Sequence, residues 1–495
     1  MILAFILAAA LNLVPAPVEF TPGERVCRKE PFKKAVANLE PWQQKEAYRL
    51  TVTKRGTKIE ALTPEGRFRA QKTLEQLKLQ GEVPHGVIFD YPRLRHRGLM
   101  IDESRSFKGM DFLKKQMDAM ALLKLNILHL HLDDSAGWRI ESDSYPNLTA
   151  ATAFRKGYTY HEWEAGKYKF TTEEDPSGYG GYYTKAQLRE VVAYAAERYI
   201  TVIPEIEMPG HSMEVGYAYP AVLCVHPNGN IHTGAWDLCP GSEATYELLE
   251  SVLEEVMEIF PSPLIHIGGD EATMKTWSQC VNCKRLMEEE GYTDVKQLQG
   301  HLVRRIEAFV RAHGRHIIGW DEILETGVPD GAVVQSWRGA AGGIKASQAG
   351  YDVIMSPNTH CYFNYYQDLI RKEPKAVGEL VSLRFAYGYE PLGEGMAPEH
   401  LLGVQANLWT ELIPTPEHAE YMLYPRLFAL AETAWSPSSA KNWQDFYRRA
   451  RLMQDVLRAL GYNTFDLDTE SELARSGFQR FEQLEQYKKE HEAEN

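Results

Sequence analysis

Leu264-Ile265-His266-Ile267 is a run of β-forming apolar residues that ends in Gly268-Gly269 and then in two adjacent carboxylates, Asp270 and Glu271. A short apolar run of this kind reads as a buried strand, and paired glycines let the backbone turn sharply at its end. Two acids then enter a pocket side by side, splayed and not stacked. The same pair would suit the positive end of a helix dipole, so the spacing alone leaves both uses open.

Seven other apolar runs end in the same way. After residues 98–101 come Asp102 and Arg105; after 127–132, Asp133 and Asp134; after 201–206, Glu207 and His211. Residues 316–318 lead to Trp320, Asp321 and Glu322, and 333–336 to Trp337 and Arg338. Residues 352–355 lead to His360, Tyr362 and Asn364, and 404–407 to Trp409 and Glu411. Solvated loops collect charge, but exposed indole needs a use. Aromatic walls with acids between them suit a sugar ring, whose faces are apolar and whose edge carries hydroxyls.

Eight strands, 264–267 included, alternate with amphipathic stretches at 108–125, 185–199, 243–260, 295–312 and 417–433, which predicts a parallel sheet covered by helices. Eight strands close a (β/α)8 TIM barrel, an α/β fold whose chemistry sits at the C-terminal ends of the strands. Ahead of it, residues 15–92 read as a small α+β domain, with strands near 47–52 and 58–62 and a helix at 66–79. The barrel is assigned 93–438, and 439–495 a charged helical tail packed on it. Residues 1–14 are apolar and rich in small side chains, with no Lys or Arg; they read as an atypical leader or a first strand, with export favoured over a cytoplasmic location.

Composition excludes several classes. The chain has 495 residues, 44% hydrophobic and 25% charged, enough for a large core. Its net charge of -14 and lack of a basic stripe argue against a nucleic-acid partner. The apolar N-terminus is too short to span a bilayer, so no membrane insertion is expected. Six cysteines are too few for a disulfide scaffold at this length. Cys224 and Cys239 flank one loop and are candidates to pair. Cys280-Val-Asn-Cys283 has the form of half a zinc site, but no second such pair exists in the sequence, so buried or surface thiols and no metal are expected.

Taken together, His96-Arg97-Gly98, Asp102-Glu103-Ser104-Arg105, His129-Leu130-His131-Leu132-Asp133-Asp134, Pro204 to His211, His266 to Glu271, Gly319-Trp320-Asp321-Glu322 and Trp409-Thr410-Glu411 resemble glycoside hydrolase family 20, the β-N-acetylhexosaminidases. The motifs keep the family's order from about residue 13 to about residue 437. The resemblance implies an exo-acting retaining enzyme that removes terminal β-linked GlcNAc, with GalNAc left open, and that uses no cofactor and no metal. Its partner is a carbohydrate substrate, and the oligomeric state stays undecided. In this family the substrate's own acetamido oxygen is the nucleophile.

By the same resemblance Glu271 is the general acid and then the base, and Asp270 holds the acetamide N–H. Asp134 and His211 support Glu271 through a relay, and Tyr362 donates to the acetamide oxygen. Trp320, Trp337 and Trp409 enclose the acetamido group and the sugar face, and Arg105 and Glu411 bind ring hydroxyls. Asp102 orients its neighbours, and His129 and His131 face the interior. A neighbouring carboxylate and partial burial are expected to raise the pKa of Glu271. Three positions depart from the family pattern: Asp133-Asp134-Ser135-Ala136 after the second strand, with Asp134 taken over Asp133; Glu207 where Asp is frequent; and Asn364 where an Asp commonly binds the ring. Three rival readings are a disaccharide-releasing, lacto-N-biosidase-like relative, a metal-dependent barrel hydrolase suggested by His129-Leu-His131, and a sugar-binding protein without turnover.

Overall fold

The computed structural model describes residues 11–23, 30–370 and 373–477. Most of the apolar N-terminal segment, Cys27 and the end of the tail lie outside the described residues. Leu11, Leu13 and Val14 are buried coil, and Val14 exchanges hydrogen bonds with Gln76 through both backbone groups.

Four antiparallel strands form the small domain: β1 (Glu19–Pro22), β2 (Tyr48–Thr53), β3 (Gly56–Ala61) and β4 (Gly86–Asp90), in the order β1-β4-β2-β3. The alternation in β2 buries Tyr48, Leu50 and Val52, and helix Pro64–Leu79 covers them with Ala70 and Leu77. Trp435 from the barrel's last helix enters the same core.

Eight parallel strands then close a barrel in chain order: β5 (His96–Asp102), β6 (Ile127–His131), β7 (Thr201–Glu205), β8 (Leu264–His266), β9 (His316–Trp320), β10 (Val333–Ser336), β11 (Val353–Met355) and β12 (Leu401–Leu408). This is the expected (β/α)8 architecture, with strand limits shifted by at most three residues. Register matters more than limits. Glu205 at the end of β7 lies opposite both His131 and His266, and His131 lies opposite Asp102. Pairing therefore sets one level of polar residues at the carboxyl ends.

Two local features differ from expectation. The helix anticipated over 417–433 is two, Pro416–Leu423 and Arg426–Trp435, because Pro425 supplies no N–H and forces Tyr424 into an extended conformation. Between β6 and β7 stands an unexpected three-stranded sheet, Phe154–Lys156, Phe170–Thr171 and Gly178–Gly180. Strands of two and three residues carry too few alternations to be read from sequence.

Helix Trp443–Ala459 is fastened to the barrel by Arg449, whose guanidinium reaches Glu432 at 2.6 Å. No helix among the described residues is long and apolar enough to cross a membrane.

Candidate active site

Loop 268–276 carries the acids, and its path is set by contacts on both sides. Gly268 has φ +63°, and the Glu207 carboxylate presses where its side chain would stand, so only glycine fits. Gly269 donates its N–H to Glu207 Oε1 at 2.9 Å, and Gln299 holds the Gly269 carbonyl at 2.7 Å. Asp237 accepts from Thr273 N and Met274 N at 3.1 and 2.7 Å, which ties this loop to the one after β7. Glu271 and His211 both sit in left-handed backbone, φ +47° and +50°. For non-glycine residues that conformation costs on the order of 1–3 kcal/mol and persists only when surroundings impose it.

These loops bring together a continuous line of side chains. Glu271 Oε2 is 3.4 Å from His211 Nε2, and His211 Nδ1 is 3.3 Å from Asp134 Oδ1. Asp134 Oδ2 meets Arg105 Nη2 at 2.6 Å and His131 Nε2 at 3.1 Å, and His131 Nδ1 in turn bonds Glu205. Asp270 lies beside the line, its Oδ2 3.8 Å from His211 Nε2. Asp134 thus faces His211, whereas Asp133 accepts the Glu207 backbone N–H at 3.1 Å and points elsewhere. Asp102 accepts from Ser104 N, Arg105 N and Thr410 N, each at 2.9 Å, and so shapes the Arg105 turn.

The electrostatics follow from who faces whom. Burial alone would lower His211, but Asp134 and then Glu271 hold its pKa well above the ordinary imidazole value. The same competition, won by Glu205 and Asp134, raises His131. Burial would raise Glu205 and Asp134; the histidines that face Glu205 hold its carboxyl well below the usual range, and chiefly Arg105 does the same for Asp134. Glu271 corrects the expectation from sequence: its pKa is lowered, chiefly by the His211 hydrogen bond, because its side chain is 58% exposed and burial is the smaller effect. Asp270 is raised by burial, with His211 opposing.

An aromatic box stands over this line. Trp320, Tyr362 and Trp409 are buried together with Met100, and Trp337 and Tyr365 pack on them. Trp337 and Tyr362 are nearly parallel at 6.1 Å, and the Arg105 guanidinium lies 4.9 Å from the Trp409 ring. Trp320 is the floor of the box, donating its indole N–H to Glu205 Oε1 at 2.9 Å. Buried polar atoms without a protein partner include Arg105 Nε, Asp270 Oδ1, Asn364 Oδ1 and Glu411 Oε2, one on each of four residues singled out from sequence. Donors and acceptors of both kinds are thus left for a ligand rich in hydroxyls. The Asn364 side chain is buried two residues beyond Tyr362.

Four contributors had no role assigned from the sequence. Glu205 is the hub: His129 Nε2 approaches its Oε2 at 3.0 Å and His266 Nδ1 its Oε1 at 2.9 Å. Its signal was position, since it ends β7 and shares a face with Glu207 by the period of two. Tyr365 interacts with Glu411 and Glu271, and burial pushes its pKa up to about 12. Glu322 takes the Trp337 indole N–H at 3.0 Å, and burial followed by Asp270 pushes its pKa up to about 8. Tyr160, which opens the short helix Tyr160–Ala165 between two strands of the inserted sheet, interacts with Arg105 and Asp134 and had no local signal. A cavity of about 960 Å³ opens at the opposite end of the barrel, lined by strand starts such as Thr201, Leu264 and His316 and by Glu46 of the small domain.

A model of the glycosyl hydrolase family 20 catalytic domain matches residues 94–438, and one of the family's domain 2 matches residues 10–91. The chain belongs to glycosyl hydrolase family 20. Its relatives include a β-hexosaminidase of Porphyromonas gingivalis, 38% identical over 426 residues that cover 82% of this chain and 53% of that protein. Another, from Vibrio furnissii, is 39% identical over 419 residues, covering 80% and 66%. The chain therefore spans only about half to two thirds of the length of these two curated relatives. Among solved structures, a family 20 exo-β-N-acetylglucosaminidase from Vibrio harveyi in complex with N-acetylglucosamine aligns with a TM-score of 0.78 at 30% identity, over 92% of this chain and 78% of that one. A Streptomyces plicatus N-acetyl-β-hexosaminidase aligns with a TM-score of 0.73 at 27% identity, over 92% and 96%.

A second polar cluster lies on the two loops that bear His211 and Glu271. Cys224, Cys239, Cys280 and Cys283 are all buried and unbonded, with their sulfurs within 4.8 Å of one another. The missing second pair of the sequence reading is thus supplied in space: Cys224 and Cys239 belong to no short motif but arrive from another strand exit.

Proposed function

We propose that this family 20 chain is an exo-acting retaining β-N-acetylhexosaminidase that removes terminal β-linked GlcNAc by substrate-assisted catalysis. The observation that carries the reading is the line Glu271–His211–Asp134 with Asp270 beside it beneath an aromatic box. The names and bound sugar of the relatives support it. As substrate binds, the sugar strips water from Glu271, which favours a neutral pair over the Glu271–His211 ion pair, and the shared proton moves to Glu271. Glu271 gives that proton to the glycosidic oxygen as the C1–O bond breaks, and the acetamide oxygen closes on C1. Asp270 accepts the acetamide N–H and, as an anion, offsets the positive charge of the oxazolinium. Tyr362 donates its O–H to the acetamide oxygen and fixes its approach. Glu271, now a carboxylate, takes a proton from water, whose oxygen attacks C1 as the bond from C1 to the acetamide oxygen breaks, which regenerates the acetamide and the protonated Glu271 and restores the β configuration.

The test compares aryl β-glycosides of GlcNAc and of glucose with chelator present. Cleavage of the first alone supports acetamide assistance; equal cleavage of both requires an enzymic nucleophile and overturns it. Silence on both favours a disaccharide-releasing enzyme. Asp270→Asn is expected to lower kcat on the GlcNAc glycoside by about 10²-fold, the scale of one lost transition-state electrostatic contact; turnover near that of wild type would remove Asp270 from its role.

A further inference from the structure

The four-cysteine cluster has the dimensions of a coordination shell. Cys239 Sγ is 3.6 Å from Cys280 Sγ and 3.5 Å from Cys283 Sγ, and Cys224 Sγ is 3.9 Å from Cys283 Sγ. A tetrahedron of sulfurs about 2.3 Å from a central zinc has edges of about 3.8 Å. Three of the six sulfur separations match such edges, and the others lie within 4.8 Å.

The backbone is arranged to bring them there. Cys280 is the N-cap of helix Val281–Glu290 and Cys283 lies in its first turn. Gly241, two residues after Cys239, packs so tightly on Asn282 and Cys283 that a Cβ there would overlap their backbone. Val281 N donates to Val225 O at 3.0 Å, and Val225 N donates to Cys280 Sγ at 3.4 Å. An N–H aimed at sulfur stabilises a thiolate in the way that outer contacts tune metal ligands. Trp277, Leu298 and the partly buried Ala272, Met274 and Leu286 enclose the cluster.

We infer that Cys224, Cys239, Cys280 and Cys283 bind one structural zinc ion that staples the loop bearing His211 to the loop bearing Asp270 and Glu271. Soft thiolates in a closed set of four select zinc, and a closed site serves folding and not catalysis. The staple sits where it bears on the active site. Cys280 follows Glu271 by nine residues in the chain. On the other side Trp277 Nε1 bonds Leu238 O at 3.0 Å, and Leu238 N bonds Pro209 O at 2.8 Å, two residues before His211. The ion would thus hold both members of the proton-sharing pair in their left-handed backbones without touching the substrate.

The test begins with the wild-type full chain, purified without a metal-binding tag after growth in zinc-supplemented medium. Elemental analysis is expected to find about one zinc per chain, released by a mercurial reagent and not by brief exposure to chelator. After unfolding in chelator without reductant, iodoacetamide is expected to alkylate all four cysteines. A zinc content below about one tenth per chain, another metal at full occupancy, or disulfide-linked peptides among the four would each overturn the proposal. Cys283→Ser should lose the zinc, lower Tm by at least about 5 °C and speed amide exchange in residues 224–240 and 268–283. Cys361→Ser, a buried thiol outside the cluster, should keep the zinc. If Cys283→Ser does not fold, the wild-type metal content and alkylation pattern still decide.

Discussion

At the N-terminal end of the barrel Glu46 lies between Arg69 and Arg97, and Asp90 collects Lys124 at 2.7 Å, Tyr48 at 2.6 Å and Trp435 at 3.0 Å. At the C-terminal end Asp133, Glu207 and Glu214 are equally buried, yet Glu207 Oε2 and both Glu214 oxygens find no protein partner. Burial would raise Glu46, Asp133, Glu207 and Glu214. Two arginines reverse the effect for Glu46, whose pKa is lowered, whereas burial and mutual repulsion leave Asp133, Glu207 and Glu214 well above the usual carboxylate range. One end spends its charges on joining two domains. The other keeps acids close together in low dielectric, where each added charge or proton shifts its neighbours strongly.

The contrast predicts that substitutions at the two ends separate activity from stability. Glu271→Gln should lower kcat by about 10²–10⁴-fold, the usual worth of a general acid, or roughly 3–5 kcal/mol of barrier. Because the side chain is largely exposed, Tm should hardly move. A large loss of Tm would show that Glu271 is structural. Glu46→Gln should do the reverse, destabilising by about 3–5 kcal/mol in denaturant unfolding as two buried arginines lose their partner, with KM and kcat kept at low temperature. An equally large loss of kcat there would erase the distinction between the ends.

His211→Gln sharpens the comparison through pH. The Glu271–His211 pair holds one proton through neutrality because His211 is raised, and loses it only as pH climbs through that raised value. Without His211 the proton belongs to Glu271 alone, so the alkaline limb of kcat/KM should move to lower pH. An unmoved limb would mean that another group carries the proton. The smallest effect is expected from Glu207→Gln. An acid raised in the folded state lends stability below its unfolded pKa and withdraws it as pH rises through the folded value. Wild-type Tm should therefore decline as pH rises from about 5, and the variant should decline less, by on the order of 1 kcal/mol; identical slopes would exclude Glu207 as a source.

Most of the scaffold was legible because its signals are local. Short continuous apolar runs placed eight strands and amphipathic stretches of period 3.6 the helices between them, and the strand exits held Arg105, Asp134, His211, Asp270, Glu271, Tyr362 and the three tryptophans. Pro425 could have split the last predicted helix on the same grounds, since its missing N–H is a property of one residue.

What the sequence determined by itself is the barrel, its small companion domain and the residue types at each strand exit, because periodicity and backbone chemistry act over a few residues. Only the tertiary structure decided that Glu205 is the hub of three histidines, that His211 lowers Glu271 where a neighbouring acid seemed set to raise it, and that four scattered cysteines share one centre. Those outcomes depend on which side chains face each other across parallel strand ends far apart in the chain. Electrostatic interaction falls with distance through space and is indifferent to separation along the sequence.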